Sequence, residues 1–130
     1  MAWRLLLVFL IAFLLNAVWE NLHSALYVHY KGGAITETIL LKAALFDACI
    51  ITLATLLFLF VPPLNGRAWL VLAGLVIFAI GLELFALSTG RWAYKDWMPI
   101  IPILGVGLTP MVQLAITWWV SAKLYFLSKI

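Results

Sequence analysis

The chain has 130 residues, of which 67% are hydrophobic and only 10% are charged. This composition excludes an ordinary soluble globular protein and predicts one integral membrane domain covering residues 1–130. The net charge of +3 does not indicate nucleic-acid binding, because the eight Lys and Arg residues lie scattered and form no basic run. Cys49, the single cysteine, lies in an apolar stretch and is predicted to be a small buried hydrophobe.

Four apolar stretches are each long enough to cross a bilayer core, which takes about 20 helical residues. They cover residues 3–27, 37–61, 68–88 and 110–128. The prediction is an all-α fold, a bundle of four transmembrane helices in a cell membrane. Arg4 and the apolar run after it are also typical of a signal peptide, but no small-x-small cleavage site follows, so this stretch is expected to remain.

The later half of the first stretch carries a polar stripe. Asn16, Glu20, His23 and Tyr27 are spaced by four, three and four residues, which places them on one face of a helix. Lys31, Gly32 and Gly33 then indicate a turn. The second helix is predicted to begin after an N-cap at Thr36.

The second and third helices each carry one deep carboxylate. Asp47 is flanked by alanines, which allow helices to approach closely, so it is predicted to face the bundle. Lys42 lies nearer the helix start and is expected to extend to the membrane surface. Glu83 lies five residues before the end of the third stretch.

The segment between the third and fourth helices is the least regular part of the chain. It contains Arg91, Trp92 and Tyr94, followed by an apolar run broken by prolines and by Gly105 and Gly107. Backbone of this kind at membrane depth must be satisfied by protein or water. We therefore expect this run to fold as an irregular cap over a polar site, with residues 105–109 close to that site.

The fourth helix is predicted to start with Thr109 as N-cap and Pro110 at its first position. Gln113 then lies one turn into the helix and is expected to face the polar site. Arg91 is expected to reach into the site from above as a counter-charge, because an unpaired buried carboxylate is costly.

Alternate spans run in opposite directions, and this determines which polar residues share a depth. At 1.5 Å per residue, Glu20, His23, Asp47 and Glu83 all lie about 5 to 15 Å below the same membrane face. Ionisable groups within spans are costly and by default mark a functional site. We predict that the three carboxylates converge in one cavity, within a side-chain length of His23 and Arg91.

Three interpretations of this cluster remain open. The first is a proton-sharing network of carboxylates with His23, either catalytic or transporting. The second is a single divalent metal ion such as Zn²⁺ or Fe²⁺. Its four candidate ligands are Glu20, His23, Asp47 and Glu83. The third is a structural polar cluster, with Arg91 neutralising a carboxylate and with Asn16 and Gln113 forming hydrogen bonds between helices.

Several of these residues carry a resemblance to a group of short prokaryotic membrane proteins with four helices. They are Trp19-Glu20, Leu26-Tyr27, Asp47, Glu83, Trp92-x-Tyr94, Met98-Pro99, Pro102, Gly105, Gly107-Leu108, Pro110 and Gln113. The resemblance covers nearly the whole chain and implies the same four-helix membrane fold, but no activity. A Gln often stands in that group where this chain has His23.

A fainter similarity is to membrane carotenoid cyclases and hydratases. Gly90-x-Trp92-x-Tyr94 and the stretch from Gly107 to Pro110 fit the outline of those enzymes. The paired glutamates that would follow such a proline are replaced here by Met111-Val112-Gln113. The similarity implies a lipid-like substrate.

The leading hypothesis is a small intramembrane enzyme or binding protein for an apolar, isoprenoid-like ligand, with Glu83 and Glu20 as acid and base and with Asp47 and His23 beside them. The predicted binding residues are Asn16, Tyr27, Arg91, Trp92, Tyr94, Gly105, Gly107 and Gln113. For the aromatic residues, an interfacial belt is the alternative role.

Two other functions are kept as alternatives. One is a proton- or ion-coupled transporter, which is expected to be a homo-oligomer, and the other is a membrane anchor or assembly subunit. A transporter should have ionisable groups reachable from both leaflets, whereas this chain has them in one. The positive charges are nearly balanced between the two sides, and only the N-terminal amine favours cytoplasmic termini.

Overall fold

The computed structural model describes residues 1–126, which form four helices and two small two-stranded sheets. The helices are α1 (Ala2–His23), α2 (Glu37–Phe60), α3 (Ala68–Ser88) and α4 (Leu108–Phe126), and a short 3₁₀ turn (Ser24–Leu26) follows α1. The strands are β1 (Tyr27–Tyr30), β2 (Trp92–Tyr94), β3 (Ile100–Ile101) and β4 (Val106–Gly107). The fold is therefore mostly helical, as predicted, with short strands that the all-α prediction did not include.

Three helical segments of the described chain are long and apolar enough to cross a membrane: Ala2–Leu26, Glu37–Phe60 and Ala68–Ser88. These three agree with the predicted spans. Helix α4 has 19 residues within the described chain. It carries Gln113, Thr117, Ser121 and Lys123, which lower its hydropathy, and the last two residues of its predicted span lie outside the described residues.

The helix ends follow the local sequence signals. The Oγ1 atom of Thr36 accepts a hydrogen bond from the backbone N–H of Ile39 at 3.4 Å, which confirms the predicted N-cap of α2. Helix α2 ends at Phe60, just before Pro62-Pro63, whose rings cannot continue a helix.

Tightly packed side chains fill the centre of the bundle. Helix α1 packs against α2 and α4, and α3 packs against α4. Val8, Ile51, Phe58 and Trp118 are fully buried there, together with alanines such as Ala12 that allow the helices to lie close to one another. The indole N–H of Trp118 has a hydrogen-bond partner in this core, since Trp118 Nε1 donates to Thr55 Oγ1 at 3.1 Å.

The predicted helical position of Tyr27 is wrong. Helix α1 ends at His23, and Tyr27 begins strand β1, which pairs antiparallel with β2. In that pairing Tyr27 lies opposite Tyr94, and Tyr30 lies opposite Trp92. Aromatic residues favour strands and cross-strand pairs, and this preference replaced the last helical turn with extended chain.

The Pro/Gly segment before α4 is a tight hairpin. Strands β3 and β4 pair antiparallel, with Ile100 opposite Gly107 and Ile101 opposite Val106. Gly105 has a φ of 67° and donates its N–H to the carbonyl of Ile101 at 2.9 Å, so it closes the turn. The segment is non-helical as predicted, but it is regular.

Two smaller predictions are corrected. Helix α4 begins at Leu108, so Thr109 lies in its first turn and is not the N-cap. Cys49 is exposed on the outside of α2, whereas its neighbours Asp47 and Ala48 are buried. In a membrane helix the outward face is apolar as well, so an apolar setting does not distinguish an inward cysteine from an outward one.

Substitution of Gly107 should destabilise the hairpin. A Cβ atom there would lie 2.8 Å from Met98 Sδ and 3.1 Å from Pro110 Cδ. We expect Gly107→Ala to lower the free energy of unfolding in detergent by about 1 to 3 kcal/mol, the usual cost of overpacking. In the matched control, Gly81→Ala in α3, a Cβ meets nothing within 4 Å. That variant should be at least as stable as the unmodified protein, and equal behaviour of the two variants would contradict the packing described here.

Candidate functional site

The deep carboxylates of the first three helices line one cavity at the end of the bundle where β1 and β2 lie. This cavity has a volume of about 490 Å³. Its polar lining includes Glu20, His23, Asp47, Glu83 and Gln113. The convergence predicted from helix depth is therefore present in the structure.

Gln113 connects two of these carboxylates. Its Nε2 atom lies within hydrogen-bond distance of three acceptors, Glu20 Oε1 at 2.7 Å, Asp47 Oδ2 at 3.0 Å and Asn16 Oδ1 at 2.9 Å. Asn16 in turn donates to the carbonyl of Ala12 at 2.8 Å. An amide nitrogen carries only two hydrogens, so three acceptors around it need one further donor. A proton shared by the carboxyl groups, or a polar group of a ligand, can supply it.

Glu83 is surrounded by three neutral donors. Its Oε2 atom accepts from Tyr27 Oη at 3.3 Å and from Trp92 Nε1 at 3.1 Å, and Tyr94 Oη donates to the same oxygen. Tyr94 Oη also accepts from the backbone N–H of Gly107 at 3.1 Å. Through these contacts, strands β1 and β2 and the β3–β4 hairpin are all connected to one carboxylate.

The two tyrosines remain donors over the physiological pH range. Burial raises the pKa of the Tyr27 hydroxyl above its ordinary value, and the nearby Glu83 raises it further. Burial also raises the pKa of the Tyr94 hydroxyl, and its hydrogen bond to Glu83 raises this pKa further. Because a raised pKa favours the protonated phenol, both hydroxyls keep the hydrogen that they donate to Glu83.

The predicted counter-charge role of Arg91 is wrong. Arg91 lies at the edge of the cavity, but its side chain is exposed and its guanidinium lies 5.2 Å from the centre of the Phe85 ring. Three hydrogen bonds from neutral groups already satisfy Glu83. Because this carboxylate therefore needs no cation, the guanidinium packs on the aromatic face of Phe85 at the surface.

His23 is the one buried polar side chain of the described residues whose nitrogen or oxygen atoms have no hydrogen-bond partner. It is 6% exposed, and both of its ring nitrogens are enclosed and form no hydrogen bond with residues 1–126. Its nearest aromatic neighbour is Tyr27, whose ring centre lies 4.9 Å away at nearly right angles. A buried polar atom without a partner costs about 1 to 3 kcal/mol, so this histidine is a feature that requires an explanation.

The metal interpretation lacks support in the described part of the chain. Residues 1–126 contain no group of three or more His, Cys, Asp or Glu side chains that could hold a metal ion. The reason is that Gln113 binds Glu20 and Asp47, three donors surround Glu83, and the His23 ring packs against Tyr27.

The remaining predicted residues differ in position. Neither predicted glycine lines the cavity: Gly107 is buried and its backbone N–H donates to Tyr94, and Gly105 is exposed at the hairpin turn. The sequence reasoning missed the cationic and aromatic residues around the cavity opening, His29, Tyr30, Lys31 and Lys42, and the apolar wall. That wall consists of Ile35, Ile39, Leu40, Phe46, Ala79, Leu82 and Leu114. The spacing of Ile39, Ala43 and Phe46 by four and three residues, which places them on one face of α2, was the signal available for it.

Comparisons of the chain with protein-family models, with curated proteins and with solved structures gave no match.

The donors to Glu83 should contribute unequally to stability. Tyr94→Phe removes a donor to Glu83 and an acceptor for Gly107, so it should cost more than Tyr27→Phe, which removes one donor at a cost of about 1 to 3 kcal/mol. Tyr30→Phe is the matched control, since Tyr30 stacks on Trp92 through its ring at 6.0 Å. Unfolding in detergent should give the order Tyr94, Tyr27, Tyr30, and equal effects for all three would contradict the assigned contacts.

Proposed function

We propose that the protein binds an apolar, isoprenoid-like lipid in the cavity and transfers protons to and from it, with Glu83 and Glu20 as the acid and base. One observation carries this proposal: Glu20, Asp47 and Glu83 line the same cavity, and their hydrogen-bond partners are neutral amide, phenol and indole groups. Carboxyl groups that are not neutralised by ion pairs are available for proton transfer.

The reaction class follows from two separate carboxyl sites in one space. One carboxyl group gives its proton to a carbon of a C=C bond, and the other, as carboxylate, takes a proton from a neighbouring carbon. The double bond thereby shifts along the lipid. The carboxyl group that gave its proton becomes a carboxylate and the other becomes protonated, so no oxidant or reductant is needed. Aromatic rings of Tyr27, Tyr30 and Trp92 line the same cavity, and their π faces can stabilise the cationic intermediate.

The walls of the cavity favour an apolar ligand. Ile39, Phe46, Leu82 and Leu114 line the cavity together with the carboxyl groups, and its volume of about 490 Å³ lies in the range of about 300 to 1,000 Å³ typical of small-molecule sites. The similarity of the Trp92-x-Tyr94 and Gly107–Pro110 segments to carotenoid cyclases and hydratases is consistent with this class of substrate. Metal-dependent chemistry is not part of the proposal.

We further propose that α4 is a fourth span and that both termini lie on the cytoplasmic side of a prokaryotic cell membrane. Nineteen residues at 1.5 Å each give about 28 Å, close to the thickness of the hydrocarbon core. The transport alternative is less favoured, because fully buried Val8, Phe58 and Trp118 fill the bundle beyond the cavity.

Deuterium exchange tests the proposed activity. The purified protein, reconstituted in lipid nanodiscs in D₂O, is incubated with geranylgeraniol as probe, and mass spectrometry then measures the deuterium in the recovered lipid. We expect time-dependent incorporation that falls by at least about 100-fold in Glu83→Gln and Glu20→Gln, the usual contribution of a general acid or base. Glu37→Gln is the control, because Glu37 is exposed at the start of α2. Equal incorporation in all four proteins, or none in the unmodified one, would contradict the proposal.

A further inference from the structure

A second space lies between α1 and α4, on the outer side of the bundle. This groove has a volume of about 480 Å³ and is separate from the acidic cavity. Its lining consists of Leu15, Val18, Trp19, Leu22, His23, Leu26, Thr109, Ile116, Thr117 and Val120. Val18 is 61% exposed and Leu22 76% exposed, so the groove is open on the side of α1 that faces outward. Because α1 is a candidate span, that side meets the hydrocarbon of the bilayer.

His23 belongs to the lining of both spaces. It is therefore part of the wall that separates the apolar groove from the carboxyl groups. Its two nitrogens are buried and have no hydrogen-bond partner in the described chain. Thr109, at the start of α4, adds a hydroxyl group at the same end of the groove.

We propose that the groove binds the hydrocarbon chain of a single-chain lipid whose uncharged polar head, an alcohol or carbonyl group, forms a hydrogen bond with His23. The apolar lining matches a hydrocarbon chain along most of the groove. A buried imidazole without a partner matches a head group that can donate or accept one hydrogen bond.

The charges of the site exclude the other common head groups. Among residues 1–126, no Lys or Arg lines the groove, so a phosphate or carboxylate would be buried there without a cation from this part of the chain. Binding of the lipid in the groove is independent of the proposed function. Only a later reaction of that lipid in the cavity rests on it.

Photolabelling tests the groove directly. Hexadecanol and hexadecane, each with a diazirine in the chain, are irradiated with the protein in nanodiscs, and the labelled residues are mapped by mass spectrometry. We expect hexadecanol to label the groove residues of α1 and α4, to be displaced by unlabelled hexadecanol, and to label them about fivefold more than hexadecane does, the effect of one hydrogen bond.

Three variants separate chain binding from head-group recognition. Val18→Trp fills the groove and should lower labelling by both probes, whereas Ile77→Trp, at an exposed position of α3 outside the groove, should not. His23→Phe keeps a ring but removes both nitrogens, and should abolish only the preference for hexadecanol.

The outcomes are distinguishable from those of the exchange experiment. Labelling that is uniform around the bundle, that unlabelled hexadecanol does not displace, or that Val18→Trp and Ile77→Trp change equally would show ordinary boundary lipid and overturn the inference. Labelling of the groove without any preference for the alcohol would overturn the role of His23. Specific labelling without deuterium exchange would support the groove and contradict only the proposed reaction.

Discussion

A single side-chain amide connects three of the four helices, α1, α2 and α4, at the level of the acidic cavity. The side-chain nitrogen of Gln113 on α4 lies within hydrogen-bond distance of Glu20 and Asn16 on α1 and of Asp47 on α2. In a bilayer, moving an apolar side chain from contact with lipid to a helix interface gains little free energy, because both environments are hydrocarbon. Polar contacts and close packing then determine which helix faces meet. Gln113 thus both holds the bundle together and places two carboxyl groups side by side.

The same requirement, that buried polar groups need partners, explains the small sheets above the bundle. Glu83 receives hydrogen bonds from Tyr27, Trp92 and Tyr94, and these donors lie on β1 and β2. The β3–β4 hairpin adds the backbone N–H of Gly107, which donates to Tyr94. The result is a carboxylate enclosed by neutral groups. The cations nearby, such as Lys31 and Arg91, pack against the aromatic rings of Tyr30 and Phe85.

The sequence was sufficient for the parts of the structure that depend on helix geometry. Apolar length predicted the three spans, and the rise per residue predicted that Glu20, Asp47 and Glu83 meet at one depth. The facing position of Gln113 followed from its place one turn into α4. In each case one repeating parameter of the α-helix determines the position.

Other predictions failed where the helix no longer determines the geometry. Tyr27 was placed on a helix, because its spacing from His23 fits one, but cross-strand pairing with Tyr94 requires extended chain. Arg91 was assigned to Glu83 from charge alone, although neutral donors from distant segments satisfy that carboxylate. Gly105 was assigned to the site, whereas its positive φ serves the turn. The α1–α4 groove was not predicted, because its shape depends on how the two helices pack. The spacing of residues along one helix carries no information about that packing.

A double-mutant cycle between Glu20 and Gln113 tests the central contact most directly. The free energies of unfolding in detergent are measured for Glu20→Ala, Gln113→Ala and the double variant. The hydrogen bond at 2.7 Å predicts a coupling energy of about 0.5 to 3 kcal/mol, with the double variant less destabilised than the sum of the single ones. A cycle between the exposed Glu37 and Gln113 should give no coupling. Additive effects in the Glu20 cycle would contradict the arrangement of the acidic cavity described here.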